Sequence, residues 1–255
     1  MSKNKVRLKI RRQDGPDKSS TRRWDVFDVP RLPRMSVVDA LRYIQAEPVT
    51  VDGNRVAPVS WDCSCLEETC GACTMLIQGV AQQACGVLLD DIAPKGKLVV
   101  IEPLSKFPVV RDLVVDRTRM VADLVRLKAW IEIDGVFDTG EGLRENADHQ
   151  RARYALSRCM MCGCCVEACP NVNDASVFVG AAAINQVRLI NMRPSDDGHR
   201  VERLDGMMRR GGVAECGKAQ LCAEVCPQLI PLTESIGHVA RDTTKRLVSG
   251  WILGS

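Results

Sequence analysis

Large aromatic side chains are scarce in this chain: four Phe, four Trp and two Tyr make up 4% of its residues, so any core must be filled by Val, Leu, Ile, Ala and Met. No run of 18 consecutive apolar residues occurs, which leaves no candidate for a transmembrane helix. The amino terminus, MSKNKVRLKIRRQDG, lacks the apolar stretch and small-residue cleavage site of a secretory signal. The sequence therefore reads as a chain kept in a reducing compartment. Net charge is only +3, with no concentrated basic face, which argues against nucleic-acid binding. Histidine is limited to His149, His199 and His238, isolated from one another and read as surface or structural residues. No Ser/His/Asp set and no convincing carboxylate pair stands out, so no catalytic residue is assigned.

Cysteine is what the chain has in excess. There are thirteen, an odd number, gathered in tight groups rather than scattered as a disulfide framework would be. In a reducing compartment such groups point to metal ligation.

At 255 residues the chain has room for one large or two modest domains. Val6, Leu8 and Ile10 alternate with Arg7 and Lys9, the period of a half-buried strand. The polar residues 13–20 predict a turn, and 24–29 a second strand. Ser36 and Asp39 form an S-x-x-D helix start, with Val37, Leu41 and Ile44 on one apolar face and an end near Pro48. Residues 74–77 and 98–101 predict further strands, with a turn at Gly79 and a polar run after it. Beyond residue 108 the spacing becomes helical. Leu113, Met120, Leu124 and Leu127 predict a linking helix within 111–130, and 134–142 is turn-rich. Helices are expected over 151–157, 181–192 and 237–247. The fold class is therefore α+β: a small mixed domain over 1–115, followed by a helical domain over 116–255. The Arg11-Arg12 and Arg209-Arg210 pairs are read as solvated surface.

The first group reads WDCSCLEETCGACTMLIQGVAQQAC. Cys65, Cys70, Cys73 and Cys85 give C-x4-C-x2-C-x11-C, the plant-type spacing for a 2Fe–2S cluster. Gly71 suits the tight loop because it tolerates positive φ. A structural zinc site is the competing reading, but such sites more often pair two C-x2-C knuckles, and only one is present here. Cys63 is left over as a structural thiol, and Glu67-Glu68 as a solvated loop face.

The second group, CMMCGCCVEACP, contains Cys159, Cys162, Cys165 and Cys169 followed by Pro170. This is the bacterial ferredoxin run, in which the fourth cysteine ligates the other cluster. The third, CGKAQLCAEVCP, is the same run with Ala219 where the second cysteine would stand. Cross-ligation assigns Cys159, Cys162, Cys165 and Cys226 to a 4Fe–4S cluster. Cys169, Cys216 and Cys222 remain, and a methyl group cannot bind iron, so a 3Fe–4S cluster is expected there. Cys164 falls between ligands as a non-ligand thiol.

The order of the three groups resembles the iron–sulfur subunit of succinate dehydrogenase and fumarate reductase over nearly the whole chain. The segments WDCSCLEETCGACTM, CMMCGCCVEACPNVN, VGAAAINQVRLIN and CPQLIPLTESIGHVARDT look like the menaquinone-linked, Bacillus-type branch. The resemblance implies a β-grasp plant-type ferredoxin domain followed by an all-α, bacterial-ferredoxin-like domain. It implies an electron-transfer subunit of a membrane-bound succinate:quinone oxidoreductase, with fumarate reductase running in reverse as the alternative. The implied partners are a flavoprotein subunit with covalent FAD, which carries the dicarboxylate chemistry, and a membrane cytochrome b subunit, dihaem, with menaquinone. The implied location is peripheral, on the cytoplasmic face of the cell membrane. Ubiquinone-using members carry a Trp shortly after the Cys-Pro and a His after the first cysteine of the third group. Here Asn171-Val172-Asn173-Asp174 follows Pro170, and Gly217 follows Cys216. A molybdenum hydroxylase subunit shares the first spacing but lacks paired C-P runs such as those at 169–170 and 226–227.

Overall fold

The structure, a computed structural model, describes residues 5–16, 21–131, 145–193 and 198–253. The chain divides into two compact units, Met1–Arg117 with Cys162–Glu167, and Thr118–Met161 with Ala168–Ser255.

The first unit is built on a mixed sheet. Its strands are β1 (Lys5–Gln13), β2 (Arg22–Pro30), β3 (Thr74–Ile77), β4 (Val80–Gln83) and β5 (Val99–Glu102), in the order β2-β1-β5-β3-β4. β1 pairs antiparallel with β2 and parallel with β5, the crossover passing through helix α1 (Val37–Ala46). The predicted alternation is realised: Val6, Leu8 and Ile10 are fully buried, each worth roughly 1.5–3 kcal/mol of transfer free energy. They meet Val37, Leu41 and Ile44 of α1 in one apolar cluster. The helix starts where the sequence predicts. The Ser36 hydroxyl accepts from the Asp39 N–H, and the Asp39 carboxylate accepts from the Ser36 N–H at 2.9 Å, a complete capping box.

Three expectations for this unit need correcting. The polar run after Gly79 is strand β4. Gln78 and Gly79 both have positive φ, the conformation of a two-residue hairpin turn, which sets Ile77 opposite Val80. Arg12 is not solvated surface: it is fully buried, its guanidinium donating to Asp112 Oδ1 at 2.9 Å, to Asp25 Oδ2 at 2.8 Å and to the Ala57 carbonyl at 3.0 Å. Leu113 belongs to no linking helix. It lies between two short strands, β6 (Val109–Arg111) and β7 (Val114–Val115), and is buried in the core of the sheet unit. The cause lies in the backbone partners. Leu113 N–H donates to the Ser60 carbonyl, while the Asp112 carboxylate accepts from the Gln13 and Ser60 N–H groups, so the chain is tied sideways before a helix can begin. A short helix, α2 (Leu89–Ile92), precedes β5.

The second unit is helical: α3 (Thr118–Arg126), α4 (Ala147–Ser157), α6 (Gly180–Asn191), α7 (Arg200–Met208), α8 (Leu221–Glu224) and α9 (Leu232–Leu253); α5 (Cys164–Ala168) belongs, but for Ala168, to the first unit. α6 is its hub, packing against α3, α4, α7 and α9. The alanine run at 181–183 is buried and lets those neighbours approach closely. α9 begins five residues before the expected start at 237, directly after Pro231, whose carbonyl accepts the Ser235 N–H. α7 was not anticipated; it buries Leu204 and Met207 on one side. The expected turn at 134–142, and part of that at 13–20, lies outside the described residues. Among the described residues no helix is long and apolar enough to cross a membrane.

Candidate iron–sulfur centres

None of the thirteen cysteines is in a disulfide. In the sheet unit, Cys65, Cys70 and Cys73 lie on the loop entering β3, and Cys85 follows β4, so the β3–β4 hairpin returns the fourth thiol to the loop. Ala84 N–H donates to the Cys73 carbonyl at 3.1 Å, fixing that return. The loop is shaped by backbone rather than by a core. Leu66, Glu68 and Gly71 all have positive φ, 62°, 55° and 72°. This curvature turns N–H groups inward: Glu67 and Thr69 donate to Cys65 Sγ at 3.3 and 3.4 Å, and Ala72 donates to Cys70 Sγ at 3.4 Å. Arg117 holds the loop from below, donating to the carbonyls of Gly71, Ala72 and Thr74.

These contacts split the thiols electrostatically. The Thr69 side chain and the two backbone N–H groups lower Cys65 to about 6. Burial, with Cys85 and Cys70 adding to it, pushes Cys73 up to about 12. Cys73 is therefore within electrostatic range of both Cys70 and Cys85, and a side-chain hydrogen bond from Cys70 helps to lower Cys65. Cys63 is exposed and Glu67-Glu68 lies on the exposed face, although the Glu68 carboxylate covers Gly86 closely enough to fill the space of a Cβ.

Cys162, Cys164 and Cys165 also belong to this unit. Cys164 is 1% exposed, and both its thiol and its N–H bond to the Cys162 sulfur. These bonds, opposed by burial and helped by Arg117, lower Cys162 to about 6. Glu167 anchors the segment, accepting from the Lys106 N–H at 3.0 Å and from the Ser105 hydroxyl. Gly163 sits against the Phe107 ring, where an added Cβ would lie 3.2 Å from the ring edge. Cys159 and Cys226 are placed in the helical unit, Cys226 buried.

The helical unit also brings Cys169, Cys216 and Cys222 together. They line one cavity of about 440 Å³, whose wall includes Ala219. Burial pushes the Cys222 thiol up, and the neighbouring Cys169 and Cys216 add to that. Gln220, in left-handed backbone at φ 63°, turns the chain between Ala219 and α8, which carries Cys222. The three histidines stay apart from these thiols. His149 pairs with Glu145, His199 packs edge-on to Trp130, and His238 accepts from Arg241.

The donor sets fit inorganic clusters. Thiolates are the ligands that iron–sulfur clusters take, N–H groups already point at the sulfurs of Cys65, Cys70 and Cys162, and the cavity is much larger than a single ion. Arg117 Nε is buried without a partner, a donor left over beside the loop.

Comparison with known proteins agrees. Residues 7–122 match a family model described as a 2Fe-2S iron-sulfur cluster binding domain, and residues 155–230 match a 4Fe-4S dicluster domain. The chain is 47% identical over 244 residues to the succinate dehydrogenase iron-sulfur subunit of Bacillus subtilis (strain 168), covering 95% of this chain and 94% of that one. It is 33% identical over 220 residues to a fumarate reductase iron-sulfur subunit of Escherichia coli O6:H1 (strain CFT073), covering 86% and 85%. In fold it resembles a chain of the Mycobacterium smegmatis Sdh1 complex in the apo form, with a TM-score of 0.78 at 21% identity over 96% of this chain and 98% of that one. With its thiol groups spaced and grouped as described, the chain belongs to the family of succinate dehydrogenase and fumarate reductase iron–sulfur subunits.

Proposed function

We propose that this subunit relays electrons within a succinate:menaquinone oxidoreductase, from a flavoprotein subunit with covalent FAD towards a dihaem membrane cytochrome b subunit, at the cytoplasmic face of the membrane. The residues proposed to hold its clusters are Cys65, Cys70, Cys73 and Cys85 for 2Fe–2S, Cys159, Cys162, Cys165 and Cys226 for 4Fe–4S, and Cys169, Cys216 and Cys222 for 3Fe–4S. When bound, such clusters accept and release single electrons, which divides a two-electron flavin oxidation into serial steps. The domain holding the first cluster is taken as 1–115 and the helical domain as 116–255.

The protein's own part is to set the potentials. The N–H groups on Cys65 and Cys70 stabilise negative charge on sulfur, and burial of Cys73 and Cys222 opposes it. The observation that carries the reading is a cavity whose lining includes three thiols and has Ala219 at the position of a fourth: a site with room for a cluster and one ligand too few for a fourth iron. Succinate oxidation is favoured over the reverse direction by the higher identity to the Bacillus subtilis succinate dehydrogenase subunit than to the Escherichia coli fumarate reductase subunit. The menaquinone assignment is supported by the stretch 171–174, which holds no Trp where ubiquinone-using members carry one shortly after the Cys-Pro, and by Gly217, where they carry a His.

EPR of the purified native complex tests this. The expected result is a 2Fe–2S signal in the reduced sample and a 3Fe–4S signal in the oxidised one, with succinate oxidation supported by a menaquinone analogue. An oxidised sample without the 3Fe–4S signal would defeat the three-cluster assignment. Faster turnover with fumarate as acceptor would reverse the direction.

A further inference from the structure

Two residues from the segments that depart from the ubiquinone-using pattern, Asn171 and Gly217, meet in space. Asn171 follows Cys169-Pro170 and Gly217 follows Cys216, on chain segments far apart in sequence, yet both line the cavity of the three thiols. The Asn171 amide reaches across, Nδ2 donating to the Glu215 carbonyl at 3.0 Å, one residue before Cys216. Glu215 is itself held, its carboxylate accepting from the Gly211 N–H at 2.6 Å. A Cβ built on Gly217 would lie 2.5 Å from Asn171 Oδ1, closer than such atoms approach, and 3.2 Å from Cγ and Nδ2, a tight contact. The space beside Gly217 is therefore filled by the Asn171 side chain.

We infer that Asn171 is the positioning residue of this site, and that Asn171 and Gly217 form a matched pair in which a side chain fits at one position only while the other gives way. The inference rests on the three-iron reading above. Its physical basis is short. Cys169 and Cys216 come from separate segments, and one amide hydrogen bond ties the residue two past the first to the residue one before the second. That bond sets how far apart the two thiolates stand. Ligand spacing must match the cluster edge, so loosening it costs occupancy, while a methyl group at 217 displaces the amide and breaks the same bond. Residues that act through one shared contact are non-additive, and here the sign is compensatory.

The test uses the intact complex carrying Asn171→Ala, Gly217→Ala or both, with EPR of each sample oxidised and reduced and a redox titration of the 3Fe–4S signal. The 2Fe–2S signal of the same sample is the internal standard, because general misfolding lowers both. Asn171→Ala is expected to lower the ratio of 3Fe–4S to 2Fe–2S signal several-fold and to shift the 3Fe–4S midpoint while the 2Fe–2S midpoint stays. Gly217→Ala alone should lower the ratio further, and the double variant should recover to the level of Asn171→Ala. An unchanged ratio and midpoint in Asn171→Ala, or a double variant no better than Gly217→Ala, overturns the pairing. An unmutated complex without the 3Fe–4S signal overturns instead the three-iron reading, and the inference falls with it.

Discussion

The thiol loop of the sheet unit and the thiol cavity of the helical unit solve the same problem by opposite means. The first gathers its four thiols from positions 65 to 85, on one loop and the hairpin that follows it. Its geometry comes from backbone φ angles and N–H groups. The second draws on positions 169 to 222, and its thiols meet only because helices pack around α6 and a side-chain amide bridges two loops. A local site is written in spacing. A long-range site is written in packing, and on the proposed assignment the residue that decides its cluster is a methyl group, Ala219.

That contrast is sharpest at Ala219. Ala219→Cys supplies a fourth thiol at the cavity wall and should convert the site to four irons. The expected outcome is complete loss of the oxidised 3Fe–4S signal, with quinone-linked turnover falling about tenfold or more, read by EPR and by succinate-driven quinone reduction. No single added thiol in the sheet-unit loop should have a comparable effect, because that set already has four members.

Next in size is the staple beneath the sheet unit. Arg12→Ala leaves Asp112 buried without its cation and Asp25 with only the longer Arg23 contact, and breaking a buried pair from one side costs about 3–5 kcal/mol. Chemical denaturation should show this loss, with the 2Fe–2S signal fading at lower denaturant than in the parent. If the sheet-unit loop depends on its local backbone alone, the signal persists until the sheet itself unfolds.

A smaller effect tests the loop directly. Gly71→Ala places a Cβ at φ 72°, where left-handed backbone costs about 1–2 kcal/mol. The 2Fe–2S cluster should be lost to chelator several-fold faster, with the 3Fe–4S signal unmoved. Smallest is the helix cap: Ser36→Ala removes the hydroxyl that caps α1, at about 1 kcal/mol. That cap also carries a pH signature. The Ser36 hydroxyl and N–H hold Asp39 below its ordinary value, so its contribution is present above that ordinary value and is lost as pH falls through the lowered one. The acid limb of the Tm-against-pH curve should therefore flatten in Ser36→Ala.

How much of this was legible follows the same division. The alternation of Val6, Leu8 and Ile10, the S-x-x-D cap and the position of β3 were all readable because each depends on neighbours in sequence. The turn at Gly79 was readable, but the strand after it was not, because a polar run hides β4, whose Gln83 is buried nonetheless. The burial of Arg12 could not be read from an Arg-Arg pair, since its partners stand at 25 and 112. Leu113 looked helical by spacing, and only the sideways hydrogen bonds to Ser60 place it in the sheet unit. Position by position, the stretch 171–174 and Gly217 looked like two unrelated departures. Their meeting depends on how two loops pack, which no spacing encodes.

The left-handed residues Leu66 and Glu68 have a consequence for how the protein is made. Each sits in a conformation its side chain disfavours, within six residues of the left-handed turn at Gly71, and little apolar burial there offsets the cost. A newly synthesised chain would settle the sheet early and leave this stretch open. Iron and sulfide would then be delivered to a nearly finished scaffold with an unlatched rim, and their arrival would be the event that shuts it.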